Sequence, residues 1–306
     1  WKDRPDAALG AGAPRLRVSD HRIPVGLLNL AWHNLEWPPV DWMVAADHDV
    51  VVSPHPLLLP ARRAARVVMV HDLDFLDHPE RTRREVRRDY ARLVASHAGR
   101  ADRILVPSQY TAGEVRRRLA IPAERVRVCP PGVPAWPQPV AAQVALDGFV
   151  LFMGTLEPRK NVGGLLEAYR RLRARRPGTP RLVLAGAAGP EAAPWLEAIG
   201  RPPLAGGVDH LGYVPASQRQ HLYHGARVLV LPSFDEGFGL PALGAMARGL
   251  PVVAADGPVF LIGGGPRLGV NLTRTIGLQG SLEMLGPFGD RDGINLSAGV
   301  RYRATE

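Results

Sequence analysis

Two acids and two glycines stand together in "LPSFDEGFGLPALGA", residues 231–245. The preceding "ARVLVLPS" reads as an apolar strand, so Glu236 falls at a strand's carboxyl end, just before a helix-forming stretch. A carboxylate there can accept hydrogen bonds from sugar hydroxyls while neighbouring amides hold phosphate. Gly237 and Gly239 allow a ligand close to those amides, with Phe238 bracing the loop. Asp235 and Glu236 can also serve only to favour the helix N-terminus through its dipole. The local sequence leaves both uses open.

A second group lies in "MGTLEPRKNVGGLLEAY", residues 153–169. A buried strand ends in Gly154-Thr155, a loop carries Arg159-Lys160, and Asn161 precedes a helix. Open α/β sheets take ligands at the carboxyl ends of their strands, where helix N-termini present unpaired N–H groups. A diphosphate at such a place meets loop amides, an Arg fork and a Lys point charge. An ordinary strand–helix loop with solvated charges is the plain alternative. In "VMVHDLDFLDHPE", His71 ends a strand and can hydrogen-bond a sugar or set a dipole beside a developing cation. Asp72 and Asp74 form an Asp-x-Asp pair of the kind that holds a divalent metal, a weak signal by itself. No Cys/His metal cluster, nucleophile elbow or Walker loop occurs in the sequence.

Alternating strand and helix patterns must position these groups. Short β-branched runs at 49–56 and 66–72 are followed by an expected helix over 79–98, with Val86, Tyr90, Leu93, Val94 and His97 on one face. A strand over 103–108 precedes a helix for which Thr111–Glu114 matches a capping box, and a strand over 125–130 follows. The segment "PPGVPAWPQPV" (130–140) carries five prolines and reads as a linker. Beyond it the alternation restarts: strands at 149–153, 181–186, 208–214, 227–233 and 251–256, with helices over 163–176, 193–200, 217–226 and from about 240. Repeats of this length predict parallel sheets flanked by helices. The expected fold is α/β, in two doubly wound domains over 1–139 and 140–306 facing across a cleft. From 257 glycine is frequent and the pattern decays, so 257–306 is atypical.

The chain has 306 residues with 46% hydrophobic and 22% charged content, the profile of a globular protein. No uncharged apolar run reaches spanning length, so no transmembrane helix is expected. The beginning, "WKDRPDAALGAGAPRLRV", lacks a basic-then-apolar leader and an initiator Met, and reads as the interior of a longer chain. The single Cys129 rules out an internal disulfide and fits a reducing compartment, so a cytoplasmic location is expected. Net charge is +9, which suits anionic partners: nucleic acid, an acidic membrane face or phosphorylated substrates. Aromatic content is only 6% and no stacking motif occurs, so nucleic acid is not expected as a partner.

Taken together, "VHDLDFLDHPE", "RADRILVPSQYTAGEVRRRL", "ERVRVCPPGV", "LFMGTLEPRKNVGGLLEAY", "HLGYVP" and "VLVLPSFDEGFGLPALGAMARGLPVVAAD" resemble a family of retaining glycosyltransferases, family 4, also described as group 1. The resemblance runs over roughly residues 45 to 256 with the motifs in order. It implies the GT-B fold, two Rossmann-like domains with a nucleotide sugar between them. It implies that Arg159 and Lys160 hold the donor diphosphate near Gly154. Glu236 would contact donor sugar hydroxyls, with the amides of Phe238, Gly239 and Leu240 lining sugar and phosphate. Tyr213 and Val214 would approach the nucleotide base, and His71 would stand beside the reacting sugar carbon. The catalytic residues expected are therefore His71 and Glu236.

The implied reaction is transfer of a hexose, with retention, from a nucleotide diphosphate sugar to a glycan or lipid-linked saccharide. GDP-mannose is the favoured donor, with no metal and no further cofactor. Peripheral contact with an anionic inner membrane face is a further expectation from the basic surface. Three features depart from the family pattern. A second Glu, which binds ribose hydroxyls, is replaced here by Gly244. The family's first strand and glycine loop would precede residue 1, and the tail after Asp256 does not match, so the first domain is expected to be incomplete and to expose apolar edges. The alternative reading is a degenerate or truncated relative, non-catalytic, with weak or no nucleotide binding.

Overall fold

The structure, a computed structural model, describes residues 21, 23–44, 48–81, 89–132 and 148–255, together with short strand segments at 269–272, 283–284 and 300–301. The chain divides into two compact units. The first comprises Trp1–Pro79 and Arg83–Cys129, the second Glu80–Thr82 and Pro130–Glu306.

In the first unit, helices α1 (Val25–Asn34) and α2 (Val40–Met43) precede strand β1 (Val50–Ser53) and strand β2 (Ala65–Met69). Helices α3 (Asp74–Asp77) and α4 (Ala91–Arg100), strand β3 (Arg103–Val106), helix α5 (Gln109–Arg118) and strand β4 (Val126–Val128) follow. The four strands form one parallel sheet in sequence order. Parallel pairing needs crossovers, and α4 and α5 supply them by laying apolar faces on the sheet. Val94 and Ala98 of α4 and Ala112 and Val115 of α5 pack with Val68, Val70, Ile104 and Val106, all buried. Each fully buried Val or Ile among them contributes roughly 1.5–3 kcal/mol. On the edge strand β1, Val50 and Val52 remain about half exposed, at 50% and 51%.

Of the helix expected over 79–98, the described residues show a 3-10 turn at Pro79–Arg81 and helical backbone from residue 89 that continues as α4, Ala91–Arg100; residues 82–88, Val86 among them, lie outside the described residues. Another expectation changes. Helix α5 starts a turn earlier than the Thr111–Glu114 capping box requires. Its N-cap is Ser108, in extended conformation, whose side chain accepts the Thr111 N–H at 3.1 Å. Pro107 ends the strand by removing a ladder donor, which places Ser108 at the cap.

The second unit runs β5 (Phe149–Met153), α6 (Val162–Arg175), β6 (Leu182–Ala185), α7 (Ala193–Ile199), β7 (Val208–Gly212), α8 (Ala216–Gly225), β8 (Ala226–Leu231), α9 (Leu240–Ala247) and β9 (Val252–Ala255). Strands β10 (Gly269–Leu272), β11 (Glu283–Met284) and β12 (Val300–Arg301) extend the β9 edge, giving the order β11-β12-β10-β9-β8-β5-β6-β7. All pairs are parallel except β11 with β12. Side chains alternate faces along each strand. Leu151, Met153, Val183 and Ala185 pack on one side with Tyr223, Ala242, Ala245 and Met246. Phe152, Leu182 and Leu184 pack on the other with Val162, Leu165, Leu166 and Tyr169. The sheet is covered on both faces, as a doubly wound fold requires.

From β5 the chain builds β6 and β7 on one side, then crosses to lay β8 and β9 on the other. The order reverses between β5 and β8. In open α/β sheets the crevice for a ligand lies at that reversal, outside the strands' carboxyl ends.

Candidate functional site

The loops leaving β5 and β8 meet at that reversal. After β5 the backbone keeps pairing with the loop after β6: the Gly154 N–H donates to Ala185 O at 3.0 Å, Leu156 N–H to Ala187 O at 2.9 Å, and Gly189 N–H to Leu156 O at 3.0 Å. Such close approach is possible because Gly186 has no side chain. A Cβ on Gly186 would lie 1.9 Å from Gly154 O. The loop then closes in a 3-10 turn, Pro158–Lys160, and Asn161 enters α6 in the left-handed conformation at φ 52°.

The turn directs Lys160 inward. Lys160 is 8% exposed and its Nζ lies 2.5 Å from Oε1 of Glu236, itself 6% exposed. The Ser233 hydroxyl donates to the same Oε1 at 2.7 Å. Arg159 is bound along the same loop. Its Nη1 donates to Asp235 O at 3.1 Å, its Nη2 to Glu157 Oε1 at 3.3 Å, and Nη1 stands 3.9 Å from Glu236 Oε2. The backbone joins them too, with Phe234 N–H donating to Arg159 O at 3.0 Å. Desolvating an ion pair costs several kcal/mol per ion, and the donors around the carboxylate offset part of that cost.

Beyond Glu236 the loop turns into α9. Phe238 is buried at 7%. Gly239 takes φ 82°, a left-handed conformation open to glycine, and serves as the N-cap. No side chain caps α9, and Pro241 stands in its first turn. The Leu240 and Ala242 amides are therefore among the N–H groups that a helix start leaves without an intrahelical acceptor. Leu240 itself is 57% exposed.

The other expected residues fall as follows. Gly154 ends β5 at φ 156°, and a Cβ on it would lie 3.8 Å from the Lys160 Cε. Tyr213 follows β7 and is 70% exposed, while Val214 is buried in the core at 8%. Val214 can therefore meet a ligand only through its backbone, and its carbonyl accepts from Arg219 Nε at 3.1 Å. His71 belongs to the first unit, exposed after β2, with Nε2 3.0 Å from the Pro54 carbonyl. A carbonyl only accepts, so Nε2 is the donor in this contact. Asp72 and Asp74 stand at the start of α3, and among the described residues no group of three or more His, Cys, Asp or Glu is arranged to hold a metal ion. Among the described residues no helix is long and apolar enough to cross a membrane.

Two participants escaped the sequence analysis. Ser233 is 2% exposed and holds Glu236. Its placement three residues before the acid, on the same loop, was the available signal. Tyr223 on α8 is 4% exposed, and a Cβ on Gly244 would lie 3.1 Å from its ring carbon Cζ and its hydroxyl. The place where the family pattern has an acidic side chain is thus lined by a buried tyrosine. Burial raises the Tyr223 phenol well above its ordinary range.

Two α/β units, the second doubly wound with a cationic and acidic cluster at its order reversal, define a GT-B type architecture. Sucrose-phosphate synthase from Thermosynechococcus elongatus shares that fold, with a TM-score of 0.56 at 22% identity over 68% of this chain and 56% of that one. The family model "Glycosyl transferases group 1" matches residues 143–261 and "Glycosyltransferase Family 4" matches residues 3–136. The chain belongs to the family 4, group 1 glycosyltransferases. It is 34% identical over 225 residues to O-antigen chain mannosyltransferase B of Escherichia coli, covering 70% of this chain and 59% of that protein. It is 31% identical over 166 residues to D-inositol 3-phosphate glycosyltransferase of Segniliparus rotundus, covering 51% and 37%. The chain therefore spans less than two thirds of the length of these relatives.

Proposed function

We propose that this chain binds a nucleotide diphosphate sugar, GDP-mannose in the first instance, and transfers its hexose with retention to a hydroxyl of a glycan or lipid-linked saccharide. The observation that carries this reading is the convergence of Arg159, Lys160 and Glu236 at the β5–β8 reversal. The relative at 34% identity is named as a mannosyltransferase, which supports the choice of sugar.

In this reading the diphosphate lies against the Arg159 guanidinium, the Lys160 ammonium and the first amides of α9. Glu236 Oε2 accepts from a sugar hydroxyl, and exposed Tyr213 meets the base. The bond from sugar C1 to the diphosphate oxygen breaks with its electron pair going to that oxygen. The acceptor oxygen bonds C1 on the same face and passes its proton to the departing phosphate. Charge grows on the diphosphate as it leaves, and two preorganised cations in a partly dry site oppose that growth without reorganising.

A second reading is favoured by one observation. At Gly244 the ribose-binding acid is absent and the Tyr223 ring occupies the adjacent space. Loss of one charge-assisted hydrogen bond costs about 1.5–3 kcal/mol, so a non-catalytic relative with weak nucleotide binding is the alternative. Calorimetric titration with GDP-mannose, UDP-glucose, GDP and UDP, beside a Lys160→Ala variant, separates the two. Binding of one donor that is lost in the variant supports the transferase. No binding by the folded chain leaves the degenerate relative.

A further inference from the structure

We infer that Ser233 is a positioning residue that keeps Glu236 aimed at the sugar once the diphosphate has drawn Lys160 away. The inference rests on the donor-site reading above. Lys160 and Ser233 both donate to Glu236 Oε1, at 2.5 and 2.7 Å, while Oε2 stands 3.9 Å from the Arg159 Nη1. Two donors on one oxygen fix the carboxylate's rotation and leave Oε2 to accept from a substrate hydroxyl.

A bound diphosphate changes this balance. It carries more charge than a carboxylate and competes for the same ammonium, so Lys160 must be shared or surrendered. The Arg159 guanidinium faces the same competition. What remains on Glu236 is the Ser233 hydroxyl, which is neutral, 2% exposed and indifferent to the phosphate charge. Its single proton goes to Oε1. Ser233 also sits on the loop after β8, whose backbone is tied to the Arg159 carbonyl through Phe234 N–H, so its hydroxyl is held in place by the sheet rather than by the ligand. Without it, Glu236 would follow Lys160 or rotate, and the sugar would lose its acceptor while the diphosphate kept its cations.

The test is a ratio of two dissociation constants, that of the free nucleoside diphosphate over that of the sugar nucleotide. It is measured with GDP and GDP-mannose and with UDP and UDP-glucose, on the full chain. Ser233→Ala should lower this ratio about tenfold, as Glu236→Gln does, while the Kd for the free diphosphate changes less than twofold. Ser233→Thr, which keeps the hydroxyl, should restore the ratio, and Ser233→Val, of matched shape, should not. The Thr and Val pair decides the matter even if Ser233→Ala does not fold. A ratio that falls in Glu236→Gln but is equal in Thr and Val variants overturns the role of Ser233 alone. A ratio unchanged in Glu236→Gln, or no binding of either pair by the folded parent chain, overturns the donor-site reading and this inference with it.

Discussion

The Nζ of Lys160 and the Oε1 of Glu236 stand 2.5 Å apart although 76 residues separate them in the chain. Both are nearly buried, so each charge is tolerable because the other is present. Removing one partner strands the other. Lys160→Met is expected to cost on the order of 3 kcal/mol, and Glu236→Gln a similar amount. The double variant should cost clearly less than the two together, with a coupling of roughly 1–3 kcal/mol. Urea denaturation of the three variants measures this, and strictly additive losses would show that the pair does not interact in solution.

Gly186 holds the geometry of the phosphate-side loop from outside it. Gly186→Ala would set a Cβ 1.9 Å from Gly154 O and 2.5 Å from its carbonyl carbon. Backbone on both sides cannot yield as a flexible side chain would, so a loss of about 3 kcal/mol or more is expected. Gly178→Ala, where the added carbon meets nothing within 4 Å, should stay within about 0.5 kcal/mol. Thermal unfolding compares them. Equal melting temperatures would mean that the loops after β5 and β6 are not paired as described.

Much of this was legible in advance, unevenly. The strands of the second unit follow from runs such as "FVLFM" and "RLVLAG", where buried parallel pairing demands apolar β-formers on both faces. Arg159, Lys160 and Glu236 were placed at strand carboxyl ends because such ends feed the crevice of an α/β sheet. Their mutual contact was not legible, since it depends on the strand order that puts β8 beside β5. The start of α5 was misplaced because Ser108 and Thr111 are both cap-forming residues, and only the backbone conformation tells which one caps. The role of Tyr223 was invisible for a different reason: a glycine's neighbours are set by tertiary packing, not by its own chemistry.

Gly244 and Tyr223 should behave as one site. Glycine inside a helix ordinarily loses about 1 kcal/mol to alanine, so Gly244→Ala would stabilise an isolated α9. Here the added Cβ meets the Tyr223 Cζ and hydroxyl at 3.1 Å and Cε2 at 3.2 Å, and the ring is 4% exposed. The substitution is expected to destabilise by about 1 kcal/mol. In a Tyr223→Leu background, where the space opens, it should become neutral or stabilising, a coupling of at least ~1 kcal/mol. Chemical denaturation of the two singles and the double decides; a stabilising Gly244→Ala in the parent chain would show that the ring gives way freely.

In the first unit, His97 makes the fold sensitive to acid. It is 2% exposed, its Nδ1 accepts the Leu58 N–H at 2.9 Å, and its ring lies 6.5 Å from that of His33. Burial chiefly, with help from the Arg100 charge, pushes its pKa from 6.5 down to about 4. His55 is lowered as well, by burial and by His33, and Glu36 acts in the opposite sense on His97. The folded state holds His97 neutral where the unfolded chain would protonate it. Stability from this group is therefore fully present above pH 6.5 and is lost as pH falls from there toward 4. At pH 5 the loss is on the order of 2 kcal/mol. His97→Gln keeps an acceptor for Leu58 and does not titrate, so its stability should fall less than the parent's between pH 7 and 5. Urea denaturation at the two values measures the difference, and parallel losses in parent and variant would place the acid sensitivity elsewhere.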